Sequence, residues 1–247
     1  MRSPSALIVA LSGASRQSAC NQRPLGHRCS PLPLSRHRGQ TVFVPELPEV
    51  HALVADLRAR LIGHTVVRLD VLSVAVLKTF DPPVSALAGL PILAVSRHGK
   101  FLDVRLDELH LIIHLARAGW IRWRDTAPGP RGRGSSGPIS ARLVLGNGTG
   151  FDLTEAGTKK SVAVWVVRSP GEVPGVARLG PDPLDPAFTL DVLAGILAPL
   201  GRAQIKGVLR NQSNIAGIGN AYSDEILHAA KMSPFKAASM PPEEVAR

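Results

Sequence analysis

The sequence predicts an α+β protein in two parts, a helix-led β-sandwich domain followed by a small helical domain. Three observations carry this. Val50, Leu53, Val54, Leu57 and Leu61 recur at the spacing of one face of a helix. Short β-like runs separated by turn residues then fill residues 65–167. A Pro/Gly-rich connection at 168–184 follows, and beyond it the period becomes helical.

In chain order, the first helix opens after Pro45-Glu46-Leu47-Pro48, with Pro48 in its first turn and Gly63 past its end. The β runs are 65–72, 91–96, 101–106, 110–116, 141–145, 150–153 and 161–167. His98-Gly99 and Gly146-Asn147-Gly148 read as hairpin turns, and 127–140 as a flexible loop. In the helical domain, 187–200, 203–211 and 220–231 read as helices, and Pro241 opens a fourth. The domains are thus 45–167 and 185–247, with 168–184 between them.

The chain has 247 residues, 45% of them hydrophobic, which excludes wholesale disorder. No apolar run nears the ~18 residues that span a bilayer, so no membrane partner is expected. Aromatics are 4% with one Tyr, too few for an extended base-stacking surface. The net charge of +10 suggests a polyanionic partner, but six of those charges are arginines in residues 1–44, which contain no acid. That segment is rich in Ser, Arg and Pro and lacks a sustained period. It reads as a disordered or mis-assigned leader, with a targeting role left open. Both cysteines, Cys20 and Cys29, lie in it, so neither a disulfide framework nor a four-thiolate zinc site is expected.

Three segments carry chemistry. Pro45-Glu46-Leu47-Pro48-Glu49 stands at a helix mouth. Its bland reading is a turn whose acids complement the helix dipole. A terminal proline, however, is a secondary amine able to condense with an aldehyde, and a neighbouring glutamate can move protons. Ser96-Arg97-His98-Gly99-Lys100-Phe101 puts Lys100 just past a tight turn. Gln212 to Glu225 holds Gly217-Ile218-Gly219-Asn220-Ala221-Tyr222 between two helices. There, free backbone N–H groups at a helix start could receive a phosphate, with Asn220 as N-cap, although Gly also simply closes helices. Gly157-Thr158-Lys159-Lys160-Ser161 lacks the glycines of a P-loop, so no nucleotide site follows.

Together with Ile113-His114-Leu115, these segments resemble the formamidopyrimidine-DNA glycosylase / endonuclease VIII family from Pro45 to about Glu244. The resemblance implies a base-excision repair enzyme that removes oxidised bases from double-stranded DNA and nicks the abasic site by β-elimination. By position, it implies that the amine of an N-terminal Pro45 forms a Schiff base with the sugar C1′. Glu46 is then the proton donor, with Glu49 in the same pocket, and Lys100 assists β-elimination and contacts phosphate. A helix–two-turns–helix element falls on 203–231. In it Asn220, together with Gly217 and Gly219, meets the phosphate beside the lesion, and Lys206 helps. The implied protein is a monomer in the cytoplasm, at the bacterial nucleoid.

Two departures shape the expectation. Where many members fill the void left by the flipped base with Met, Arg and Phe, this chain has Ala116-Arg117 and residues 157–161. Many members also end in a four-cysteine zinc finger, whereas no Cys follows residue 29 here. No cofactor is therefore expected, and the family pattern stops short of its finger. Val44 is a candidate alternative start that would expose Pro45. The competing readings are a non-catalytic DNA-binding remnant and, against the Pro-Glu-Leu-Pro-Glu segment and Lys100, an RNA-associated module.

Overall fold

The computed structural model describes residues 45–126, 139–156 and 160–246. The segment 1–44, most of the 127–140 loop and residues 157–159 lie outside the described residues. Helix α1 (Leu47–Leu61) leads into eight strands: β1 (Val66–Val71), β2 (Ile92–His98), β3 (Phe101–Leu106), β4 (Leu109–His114), β5 (Gly119–Arg124), β6 (Ile139–Leu145), β7 (Gly150–Glu155) and β8 (Ala163–Val167). They form two four-stranded antiparallel sheets, β1-β6-β7-β5 and β2-β3-β4-β8. The sandwich expectation holds because alternate residues of both sheets, such as Leu102 and Val104 or Leu143 and Phe151, are apolar and buried in one core. Val50, Val54, Leu57 and Leu61 of α1 join that core, and Gly63 supplies the φ of +84° that follows the helix.

One strand was not expected. The segment Gly-Trp-Ile-Arg-Trp-Arg of β5 has no clean apolar alternation, yet it pairs with β7 from Gly119 to Arg124. Its charged face is answered inside the sheet. Arg124 and the buried Arg142 both bond Asp152, Arg142 at 2.5 and 3.0 Å and Arg124 at 2.8 Å.

The 168–184 connection is folded. It forms a 3-10 turn (Pro170–Glu172) and the short helix α2 (Pro174–Ala177), and it buries Val173 beside Ile112 and Val167. Arg97 grips Asp182 with both guanidinium NH2 groups, fastening the connection to the end of β2.

The helical domain comprises α3 (Leu190–Leu197), α4 (Ile205–Arg210), α5 (Asn220–Ala229) and α6 (Pro242–Val245). The expected 187–200 helix starts later because Thr189 caps it, accepting from Val192 N–H. It tightens into a 3-10 turn (Ala198–Leu200) at Pro199. Helix α5 stops at Ala229, short of 231, where Lys231 has a φ of +52°. Leu47, the first residue of α1, is fully buried in this domain's core with Ile205, Ile218 and Ile226, not in the sandwich core. The start of α1 is therefore a peg set in the second domain. Among the described residues no helix is long and apolar enough to cross a membrane.

Candidate active site

The Leu47 peg draws Pro45 and Glu46 to the start of α5. Leu47 N–H donates to Gly217 C=O at 3.1 Å. Glu46, 2% exposed, accepts from the backbone N–H groups of Gly219, Ala221 and Tyr222 at 2.7, 3.0 and 3.1 Å. These are orphan donors of the first turn of α5, so a carboxylate from the other domain caps this helix. Sequence reasoning put Asn220 at the N-cap and left the glycine N–H groups for a phosphate. In the structure Gly219 is the N-cap, and Gly217 N–H donates to Gln212 Oε1 at 2.9 Å. Both donors are taken by protein acceptors, so neither is free for a phosphate.

The glycines contribute room. A Cβ at Gly219 would run into the Glu46 carboxylate and come within 2.6 Å of Lys100 Nζ. At Gly217, with φ +86°, it would lie 2.6 Å from Leu47 Cδ1. Because three hydrogen bonds fix Glu46, the clash at Gly219 has no cheap relief.

Lys100 enters from the β2–β3 hairpin, whose turn residue Gly99 has a φ of +53°. Burial holds its ammonium below the usual 10.5; Glu46 opposes that shift, Arg210 adds to it and Glu49 opposes it. Glu49 accepts from Glu46 N–H and from the Tyr222 hydroxyl, both at 3.0 Å. Burial, then that bond, pushes the Tyr222 phenol up, so it remains a donor. His114 stacks on Phe101 with ring centroids 4.5 Å apart, and burial aided by Lys100 pushes it down to about 4. It is a neutral imidazole at pH 7.

These groups line one cleft of about 1440 Å³ between the domains. Of the residues expected at the site, Pro45, Glu46, Glu49, Lys100, Gly219 and Asn220 line it, with Pro45 buried and Asn220 exposed. Lys206 does not; it pairs with Asp224 at 2.6 Å. Arg117, Arg178, Arg210 and Gln212 line the cleft without having been assigned roles. Gln212 and Tyr222 sat inside a motif already singled out. Arg117 lies on the segment where many family members place a void-filling residue; Arg178 and Arg210 are marked only by the cavity they share.

Among the described residues no group of three His, Cys, Asp or Glu could hold a metal. Residues 45–247 contain no Cys, so the thiolate zinc site of the family resemblance does not fit them, and no step below passes through zinc.

Residues 44–158 match the formamidopyrimidine-DNA glycosylase N-terminal domain, and residues 179–246 match the H2TH domain of the same enzymes. A formamidopyrimidine-DNA glycosylase of Moorella thermoacetica is 37% identical over 213 residues, covering 83% of this chain and 74% of that protein. The chain belongs to the formamidopyrimidine-DNA glycosylase family. The enzyme of that name from Symbiobacterium thermophilum is 36% identical over 211 residues, covering 83% of this chain and 66% of its own length. The chain therefore spans about two thirds of that relative. Among solved structures, the MutM (Fpg) protein of Thermus thermophilus has 32% identity and a TM-score of 0.68, covering 81% of this chain and 70% of its own. A mutant Lactococcus lactis Fpg complexed with Fapy-dG-containing DNA has 25% identity and a TM-score of 0.70, with coverage of 81% and 73%. The family fold, a β domain followed by an H2TH domain, is the architecture described above.

Proposed function

We propose that the chain is a base-excision DNA glycosylase with abasic-site lyase activity, acting as a monomer on duplex DNA with oxidised bases in the cytoplasm. The observation that carries this reading is the convergence on one cleft of Pro45, Glu46, Glu49, Lys100 and Asn220, drawn from both domains. A protein that only bound DNA would not need a proline, a lysine and two glutamates gathered at one place in the cleft.

The chemistry requires Pro45 as the first residue, because an internal proline nitrogen is a tertiary amide. The free amine bonds to C1′ while the glycosidic C1′–N bond breaks and the base leaves with a proton. The bonded amine passes its proton to the Glu46 carboxylate; the C1′–O4′ bond then opens, O4′ takes that proton from Glu46, and an iminium forms. The iminium withdraws electrons from C2′. Loss of the C2′ proton expels the 3′ phosphate, and water releases the amine. Lys100 holds backbone phosphate and assists elimination, and Asn220 offers an unpaired amide to the next phosphate. Tyr222 fixes Glu49, and Glu49 fixes the backbone N–H of Glu46. The damaged nucleotide reaches Pro45 by leaving the base stack.

The test compares chains beginning at Met1 and at Pro45 on duplexes with abasic sites or oxidised bases, with borohydride added to trap the imine. A covalent adduct from the Pro45 chain alone is expected. Binding by both without any adduct would instead establish the non-catalytic reading, in which the nitrogen stays an amide.

A further inference from the structure

We propose that Arg210 grips a phosphodiester, sharing with Lys100 one backbone phosphate beside the reacting nucleotide and so seating the duplex over Pro45. The inference rests on the cleft being a DNA site, and it adds a residue outside every motif used so far.

Arg210 ends α4, is exposed, and lines the same cleft as Lys100. Its side chain makes no hydrogen bond or ion pair among the described residues. Lys206, one turn earlier on the same helix face, is tied to Asp224 at 2.6 Å. Of two like groups on α4, only one has been given a carboxylate.

The base of Arg210 is pinned. Gln212 Nε2 donates to Arg210 C=O at 2.9 Å and to Ile218 C=O at 2.6 Å, while Gln212 Oε1 accepts from Gly217 N–H. One amide thus locks the end of α4 to the turn that delivers Gly219 and Asn220. Arg210 is close enough for its charge to act on Lys100.

No carboxylate is bonded to either cation, although the charges of Glu46 and Glu49 act on Lys100. The Glu46 oxygens are spent on three backbone N–H groups, and those of Glu49 on Glu46 N–H and the Tyr222 hydroxyl. Glu225, the third acid lining the cleft, forms no ion pair with Arg210. Two neighbouring cations with no carboxylate bonded to either can share an external anion. A guanidinium fork matches two phosphate oxygens, and the ammonium supplies a point charge to the same group.

The experiment measures equilibrium binding of the full chain to a duplex with a tetrahydrofuran abasic analogue across a salt series. Arg210→Ala is expected to weaken binding about tenfold and to flatten the slope of log K against log salt by about 0.9, the signature of one lost phosphate contact. Arg210→Lys should recover part of both. In duplexes carrying a single uncharged methylphosphonate, one position should erase the penalties of both Arg210→Ala and Lys100→Ala. An unchanged slope in Arg210→Ala, or penalties erased at different positions, overturns the proposal. Borohydride trapping reports separately on the parent reading. No adduct from the Pro45 chain, with the Arg210-dependent slope intact, removes the imine chemistry and leaves the phosphate grip standing.

Discussion

On the outer face of the β1-β6-β7-β5 sheet, Arg142 and Asp152 are 2% and 0% exposed, and Arg124 completes a cluster whose charges answer one another. In the cleft, Lys100, Arg117, Arg178 and Arg210 make no hydrogen bond or ion pair among the described residues. Both regions are rich in arginine, and they differ in what has been done with the acids. The sheet spends Asp152 on its cations. The cleft spends Glu46 and Glu49 on backbone N–H groups and a phenol, leaving its cations open. An acid placed on an amide fixes architecture and leaves the neighbouring cations without a bonded partner.

That contrast can be broken from either side. Asp152→Ala should have the largest effect, about 3–5 kcal/mol lost in denaturant unfolding, because it strands the buried Arg142. A loss under about 1 kcal/mol would mean the cluster is not what holds the sheet. Asp152 also ties stability to acid: Arg142 and Arg124 hold its carboxyl below the ordinary value against the opposing cost of burial. Its contribution is present above the unfolded carboxyl's range near pH 4 and disappears as pH falls through the lower folded value. Glu46→Gln should cost about 1–3 kcal/mol of stability, because its NH2 cannot accept from the amides the lost oxygen served, and should slow adduct formation about a hundredfold in the folded protein, the usual worth of a positioned proton donor. Undiminished adduct formation below the variant's melting temperature would make Glu46 a cap and nothing more.

Tyr222→Phe removes one hydrogen bond to Glu49, worth about 1 kcal/mol, and should slow trapping by less than tenfold. The Lys100 ammonium sharpens the comparison on the alkaline side. Because burial lowers its folded value, duplex binding should decline as pH rises at a lower pH than for an exposed lysine, and Lys100→Arg should remove that limb. A decline identical in both proteins would detach the limb from Lys100. Lys206→Ala should be the mildest, within about 0.5 kcal/mol in stability and with near-native DNA affinity, as for other exposed pairs. A large affinity loss would return Lys206 to the DNA surface.

Much of this was legible in the sequence, and the failures have causes. Strands β1 to β4 and β6 to β8 announced themselves through β-branched apolar runs between turn residues. β5 did not, because its Arg124 is stabilised by Asp152, whose position only the sheet reveals. The motif residues Pro45, Glu46, Lys100 and Asn220 do meet at one cleft. The cap on α5 was misread because local patterns offer Asn220, whereas the true acceptor, Glu46, lies 173 residues away from Gly219. Arg210 carries no local signal at all. An unpaired arginine becomes informative only once its neighbours' carboxylates have been accounted for.

The peg that Leu47 and Glu46 drive into the H2TH domain also sets a clock. Glu46 and Leu47 leave the ribosome long before their partners, since Gly219 to Tyr222 follow Glu46 by 173 to 176 residues. At translation rates of roughly 5–20 residues per second, that interval is about ten to thirty-five seconds. Until α5 emerges, Glu46 has no amides to hold it and Leu47 has no core to enter. Contacts of such long sequence separation close late in folding. A nascent or prematurely released β domain is thereby denied the finished site, which is assembled only in a chain whose second domain has been made.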